Sequence, residues 1–213
     1  MENVPGLIGL FKGELKDILL EKFEEFGYKV SHKILVAADY GVPQTRKRVF
    51  FVGLRNGKEF EFPEAFTEKR INCLEALSDL PENSVENGSR YVSPALSQYV
   101  KLMRKDSKGI FNHEITNHSE QTKRIISLVP DGGNYKSLPP ELRDTRKVNI
   151  AWTRLNSQKP SLTIDTGHRH HFHYKFDRIP TVRENARIQS FPDKFIFLGN
   201  KTSQYRQVGN AVT

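Results

Sequence analysis

Gln44, Arg46 and Arg48 stand at alternate positions just ahead of four apolar residues, Val49-Phe50-Phe51-Val52. Alternation along an extended chain puts these three side chains on one side, and Thr45 and Lys47 on the other. Three long hydrogen-bonding side chains converging from a rigid edge suit an anionic or base-like ligand, because amides and guanidinium groups present planar sets of donors. The competing reading is a solvated basic turn ahead of a strand, and the stretch alone does not decide between them. Cys73 is the single thiol. It sits in an apolar helical stretch and reads as a structural cysteine rather than a nucleophile. Gly132-Gly133 lacks the strand-then-helix setting of a phosphate loop and is discounted.

These side chains need elements to hold them. The apolar run after Arg48 reads as a buried strand ended by Gly53, entered through the turn Gly41-Val42-Pro43. Upstream, Glu2-Asn3-Val4-Pro5-Gly6 reads as a loop leaving a strand. Leu15, Ile18, Leu19, Phe23 and Phe26 follow helical spacing from Lys12 to Phe26, and Gly27 supplies a left-handed cap. Tyr28 to Ala37 reads as a strand. Ile71 to Leu80 is predicted helical and stopped by Pro81, and residues 82–160 read as loop-rich, with strong turns at Val129-Pro130-Asp131-Gly132-Gly133-Asn134 and Leu138-Pro139-Pro140. Ser161-Leu162-Thr163-Ile164 reads as a short strand. Thr181-Val182-Arg183-Glu184 is a capping box opening a helix to about Ser190, with Val182 and Ile188 inward and Arg183 and Arg187 on an outward stripe. Gly209-Asn210 reads as a turn.

The chain has 213 residues and a net charge of +8. From Arg143 to Arg187 there are ten Lys or Arg against four Asp or Glu, and four of the seven histidines fall there. A basic stripe concentrated in one part of a chain is the footprint expected for nucleic acid. Within it, His168-Arg169-His170-His171-x-His173 invites a metal reading. If extended, however, it divides into His168 with His170 and His171 with His173, and no cysteine pair or carboxylate set accompanies it, so a solvated or DNA-facing loop is preferred and no metal is expected. One cysteine excludes an intrachain disulfide framework, and no apolar run approaches the roughly 20 residues needed to span a bilayer. The expectation is a soluble, cytoplasmic protein.

Four stretches in one order now carry a resemblance: Glu2-Asn3-Val4; Gln44-x-Arg46-x-Arg48; Arg183-Glu184-x-Ala186-Arg187-Ile188-Gln189-x-Phe191-Pro192-Asp193; and Gln207-Val208-Gly209-Asn210-Ala211-Val212. Together they closely resemble the C-terminal half of a DNA (cytosine-5) methyltransferase, as its sixth, eighth, ninth and tenth motifs. The resemblance implies an α/β fold: the C-terminal part of a Rossmann-like sheet domain plus a small, mostly β or irregular target-recognition domain. It assigns residues 1–75 to the catalytic domain, 76–165 to target recognition, and 166–213 to a return to the catalytic domain. It further implies that Glu2 contacts ring N3 and the exocyclic amine of a flipped cytosine, that Asn3 fixes its loop, and that Arg48 contacts O2 with Arg46 in support. Flipping itself costs a few kcal/mol. The helix from Thr181 would brace the recognition domain. Asn210 and Val212 would line the pocket for S-adenosylmethionine. Double-stranded DNA is the implied partner, contacted by Gln44 and by Asn134, Tyr135, Arg154 and Asn156 as candidate base readers.

The sequence also departs from the family. The nucleophile belongs to a Pro-Cys pair located before Glu-Asn-Val, and this chain has no Pro-Cys; the Phe-x-Gly-x-Gly cofactor loop is missing too. Cys73 lies on the wrong side of the Arg46–Arg48 motif. The expectation is therefore a half-enzyme, inactive alone, with the first motifs on a separate chain or lost by truncation; starting inside one motif and stopping inside another favours truncation. A DNA-binding fragment without chemistry is the alternative, and an RNA-methylating relative is disfavoured by the sizeable recognition region.

Overall fold

The computed structural model describes residues 1–65, 69–143, 152–166 and 171–212. The chain forms two compact units, one of Met1–Gly41 with Thr45–Glu68, the other of Val42–Gln44 with Lys69–Thr213.

The first unit is built on a three-stranded sheet. Strand β1 (Glu2–Asn3) is followed by a short helix α1 (Gly6–Gly9), a 3-10 turn (Leu10–Gly13) and helix α2 (Glu14–Glu25). Strands β2 (Lys29–Val36) and β3 (Lys47–Leu54) complete it. β3 lies in the middle, antiparallel to both neighbours, with Glu2 opposite Phe50, Asn3 opposite Val49, and β2 in register from Lys29–Leu54 to Val36–Lys47. The predicted helix and both strands are present to within a few residues. α2 starts on Gly13 at φ +102°, carries Glu14 and Asp17 in its first turn, and is followed by Gly27 at φ +77°. Acidic residues at the N-terminus and a left-handed glycine after the C-terminus are what the helix dipole and the unsatisfied terminal carbonyls favour.

The second unit is mostly short helices: α3 (Cys73–Leu77), α4 (Gln98–Arg104), α5 (Glu120–Ser127), α6 (Pro140–Arg143), α7 (Val182–Ile188) and α8 (Lys201–Asn210). Its regular β structure among the described residues is a parallel pair of two-residue strands, β4 (Thr153–Arg154) and β5 (His171–Phe172). The irregular character expected of this region is present, but α4 and α5 stand where loop was read, and the β content is slight. Residues 73–110 and 155–208 contribute to one apolar core, containing Leu77, Tyr99, Ile110, Leu155, Ile188 and Val208. Residues on both sides of position 165 thus share one core. A second cluster gathers Ile126, Leu138, Trp152 and Phe172.

Three local expectations are corrected. Ser161 makes a single parallel bridge to Gln44 rather than opening a strand. Gly209-Asn210 is the last turn of α8, a helix capped at its start by Asn200, whose side chain accepts from Ser203 N at 2.9 Å. A Cβ on Gly209 would lie 2.4 Å from the Asp165 backbone, so the glycine permits close approach rather than a turn.

The third correction concerns α7. Its capping box is formed by Thr181 and Glu184 as expected, yet every residue of the helix is buried, Arg183 and Arg187 completely. The two arginines do share a face, but it is turned inward. The Arg187 guanidinium gives two bonds to Asp79 (2.6 and 3.0 Å), two to Asp193 (2.7 and 2.6 Å) and one to Ala76 O (3.1 Å). All five guanidinium N–H groups are satisfied. Burial alone would lower its pKa, but the hydrogen bonds it donates to Asp193 and Asp79 raise it above the ordinary value. Arg183 donates to the carbonyls of Phe111 and Phe195, at 2.9 and 2.6 Å. Among the described residues no helix is long and apolar enough to cross a membrane.

Three outcomes are expected. Arg187→Ala strands two buried carboxylates and should destabilise by about 3–5 kcal/mol in urea unfolding followed by Trp152 fluorescence. Breaking the exposed Lys194–Asp106 pair (3.2 Å) should change stability by less than about 1 kcal/mol. The third outcome concerns pH. Burial pushes His173 down to about 4, and its Nδ1 accepts from the backbone N–H of Lys175 and Phe176. An unfolded His173 binds its proton near the ordinary 6.5, so stability is full above that value and falls as pH drops from 6.5 toward 4. The slope of unfolding free energy against pH in this window should shrink in His173→Asn, which retains an acceptor without a titrating ring. A slope unchanged in the variant would contradict this account.

Candidate active site

The register of the first sheet decides which of the predicted residues meet. Glu2 pairs with Phe50, and Arg48 lies two residues before Phe50, so Glu2 and Arg48 emerge on the same face as diagonal neighbours. Arg48 Nε lies 2.8 Å from Glu2 Oε1 with both side chains part-exposed, at 18% and 29%. The approach is ionic in distance but poorly aligned as a hydrogen bond. Arg48 Nη1 donates to Lys47 O at 2.7 Å, which holds the guanidinium back along its own strand. Arg46 is buried, its pKa lowered by burial and then by the neighbouring Arg48, and raised in part by Glu2. The three groups therefore feel one another's charge.

The opposite face explains the rigidity of this arrangement. Val49 and Phe51 are fully buried, Phe51 stacks on His32 across the strand pair with centroids 5.3 Å apart, and the Phe51 backbone exchanges hydrogen bonds with Met1 at 2.7–2.8 Å. Asn3 accepts from Val4 N at 2.8 Å and fixes the turn after Glu2. Alternating side chains of one strand thus carry anchor and site in turn: apolar inward, guanidinium outward. The arrangement offers a carboxylate acceptor beside a guanidinium donor at a strand edge. It can receive a planar heterocycle that presents a donor next to an acceptor.

Gln44 does not join this group. It belongs to the second unit, is fully buried, donates to Gln189 Oε1 (3.0 Å) and Ile188 O (3.4 Å), and accepts from Ile164 N (3.1 Å). Its amide ties together backbone segments far apart in sequence. The alternation that put it beside Arg46 assumed one continuous strand, whereas β3 begins only at Lys47. Arg154 is likewise consumed: its guanidinium donates to Val129 O, Ile126 O, His173 O, Phe176 O and Asp177 Oδ1, and the residue is 6% exposed. With every donor used in the interior, it is a structural clamp and not a base reader.

The other candidates are accessible to varying degrees. Asn134 caps the 3-10 turn Tyr135–Ser137 by accepting from Lys136 N at 2.9 Å, and Tyr135 packs partly against the second apolar cluster. Asn156 accepts from Gln158 N at 2.8 Å and lies over Gly132, whose φ of +70° and missing Cβ make room for its amide. Asn134, Tyr135 and Asn156 are all half-buried. Asn210 and Val212 are exposed at the end of α8, which Gly209 seats against the backbone of Asp165 and Thr166.

Cys73 is fully buried, and burial followed by the charge of Asp131 pushes its thiol up to about 12. A thiol held that high is not a nucleophile near neutral pH. His168 and His170 lie outside the described residues, and His173 points into the core beside Glu184. Among the described residues, no three His, Cys, Asp or Glu side chains are grouped to hold a metal.

Sequence reasoning missed the buried acid–base framework. Arg178 meets Glu184 through two 2.8 Å bonds, and Arg104 reaches Asp79 at 2.8 Å. Burial alone would raise the Glu184 carboxyl, but His173 and Arg178 hold it down to about 2. The available signal was Glu184 itself, whose place in a capping box concealed a second partner.

The chain matches a family model, described as C-5 cytosine-specific DNA methylase, over residues 1–213. It is 40% identical to the type II methyltransferase M1.HphI of Haemophilus parahaemolyticus, covering all of this chain and 52% of that protein. It is 35% identical to M.DdeI of Desulfomicrobium norvegicum, again over all of this chain and 59% of the relative. The chain thus spans about half the length of the curated relatives it matches. Among solved structures, a protein assigned as a DNA modification methyltransferase encoded within an Escherichia coli prophage superposes with a TM-score of 0.71 at 22% identity, over all of this chain and 64% of that one, which shows a shared fold. The match along its full length establishes that this chain belongs to the C-5 cytosine-specific DNA methylase family.

Proposed function

We propose that this chain is the C-terminal portion of a DNA (cytosine-5) methyltransferase that methylates carbon 5 of a flipped cytosine in a specific duplex sequence, within a restriction–modification system of the cytoplasm. The observation that carries this reading is the Glu2–Arg48 pair, held on one face of a strand edge at 2.8 Å with Arg46 behind it.

The chemistry follows from that pair. Attack at carbon 6 of cytosine builds negative charge across the ring, and groups aimed at N3, the exocyclic amine and O2 stabilise it. Glu2 is suited to N3 and the amine, and Arg48 to O2. Arg46 adds positive charge without needing contact. Asn134, Tyr135 and Asn156 remain the proposed readers of the flanking bases, on loops that their own backbone bonds hold in shape. S-adenosylmethionine supplies the methyl group. Asn210 and Val212, exposed on the seated end of α8, fit one wall of its site, and the rest of that wall must come from elsewhere.

No residue of this chain is suited to attack carbon 6, since its one thiol is buried and raised to about 12. A second polypeptide portion carrying the Pro-Cys nucleophile and the Gly-rich cofactor loop is therefore the proposed companion. The alternative, a DNA-binding fragment without chemistry, draws on the same buried thiol and on the net charge of +8.

Purified alone and incubated with duplex DNA and labelled S-adenosylmethionine, the 213-residue chain is expected to incorporate no methyl groups; incorporation would overturn this reading. When it is joined to the unmatched remainder of M1.HphI, methyl transfer is expected. Glu2→Gln in that assembly should lower the rate by about 10²–10⁴-fold while leaving DNA affinity nearly unchanged. Equal rates for the two forms would remove Glu2 from the chemistry.

A further inference from the structure

The two loops that carry Asn134 and Asn156 are stitched to one another. Arg154 N donates to Gly133 O at 2.9 Å, and Gly132 N to Leu155 O at 3.4 Å. Asp131 accepts from Ser157 N on one carboxylate oxygen (2.7 Å) and from Ser157 Oγ on the other (2.5 Å). Leu155 is buried in the first apolar cluster and Val129 in the second, so both loops spring from packed residues. The two asparagines are therefore held in place, and their own bonds decide which atoms they offer.

Those bonds take the same form at both sites. Asn134 Oδ1 accepts from Lys136 N at 2.9 Å, and Asn156 Oδ1 accepts from Gln158 N at 2.8 Å. Each side chain thus closes a turn on the backbone two residues further on. A backbone N–H can only donate, so it fixes the amide with its oxygen turned to the protein. What remains at each site is the NH2 group. Among the described residues neither Nδ2 gives a hydrogen bond, and both asparagines are only half-buried.

An asparagine that reads adenine presents oxygen and NH2 together, to N6 and N7. Neither residue can do so, because its oxygen is already committed to its own loop. An NH2 group alone offers two hydrogens and no acceptor. The major-groove edge that answers it is guanine, with O6 and N7 side by side and no donor among them. Adenine and cytosine set an amine against the incoming NH2, and thymine offers O4 alone beside a methyl group. The charges on the same loops agree. Lys136 and Lys159 are exposed donors, whereas Asp131 spends both carboxylate oxygens on Ser157.

We propose that Asn134 and Asn156 each read a guanine through its O6–N7 edge, so that the recognised duplex carries guanine, and not adenine, at the two positions they face. This rests on the reading of these loops as base readers, and names the base that they select.

The test selects duplexes from a randomised DNA library with the full 213-residue chain, and repeats the selection with Asn134→Asp and Asn156→Asp. Aspartate keeps the oxygen that the backbone N–H requires and replaces only the outward NH2 by a second oxygen, so the turn is retained; circular dichroism and the urea midpoint check the fold. The unmodified chain is expected to enrich guanine at two positions or more. Each variant should lose roughly tenfold of the guanine preference at one of them, with cytosine gaining there because its N4 amine suits a carboxylate. The other position should stay as it was. In the selected duplex, 7-deazaguanine at either site should weaken binding of the unmodified chain about tenfold, whereas inosine, which keeps O6 and N7, should not. That measurement decides the matter even where a variant fails to fold. A base other than guanine at the position that a variant shifts, folded variants that select the same sequence as before, or full tolerance of 7-deazaguanine would each overturn the guanine assignment. A chain that enriches no sequence at all would overturn the base-reading role itself, and the inference with it.

Discussion

A single buried cation organises the second unit. Arg187 sits in the last turn of a helix with no exposed residue and holds Asp79 and Asp193, carboxylates more than a hundred residues apart in sequence. Transferring one charge into an interior is costly, and the attraction of its partners offsets that cost only when the geometry is good and every donor is used. Here the remaining donor goes to Ala76 O in α3, and Asp79 is bonded in turn by Arg104 of α4. Tyr91 adds a 2.6 Å bond to Asp193. α3, α4, α7 and the chain after α7 are thereby fixed in one arrangement. A purely apolar contact would tolerate sliding, whereas these bonds are directional.

A second polar knot repeats the principle. Glu184 is both the capping carboxylate of α7, accepting from Thr181 N at 2.7 Å, and the partner of Arg178. Thr181 reaches His113 at 3.0 Å, and His113 reaches Pro81 O at 2.8 Å. Arg154 closes a third knot around the carbonyls of Ile126, Val129 and His173. Such satisfied networks specify a unique packing for a region with little regular β structure. The loops bearing Asn134 and Asn156 are attached to this frame through Gly133 O, which accepts from Arg154 N at 2.9 Å.

Periodicity and punctuation made much of this legible in advance. α2, β2 and β3 followed from apolar spacing bounded by glycine, and the start of α7 from its capping box. The shared face of Glu2 and Arg48 was readable because they lie in or next to strands whose alternation fixes it. Gln44 and Arg154 were misread for a common reason. Their types are those of ligand-binding residues, and a sequence does not say whether a donor faces water or a distant carbonyl. The inward turn of Arg183 and Arg187 was hidden similarly, since helical spacing gives a shared face but not its direction. α4 and α5 were hidden by length: seven or eight residues give too few turns for a periodic signal, and only their serine caps, Ser97 and Ser119, announced them.

The Glu2–Arg48 contact has a consequence for selectivity by charge. The two groups neutralise one another, so the pair presents a local dipole rather than a net charge, and Arg46 biases it only from behind. A phosphate attracted to Arg48 meets the Glu2 carboxylate beside it, and an ammonium attracted to Glu2 meets Arg48. A neutral ring with donor and acceptor side by side can replace the contact at both ends and leave neither ion unpartnered. Under the proposed function, the sheet face would select by the pattern of partial charges on its guest, even though the chain as a whole carries a net charge of +8.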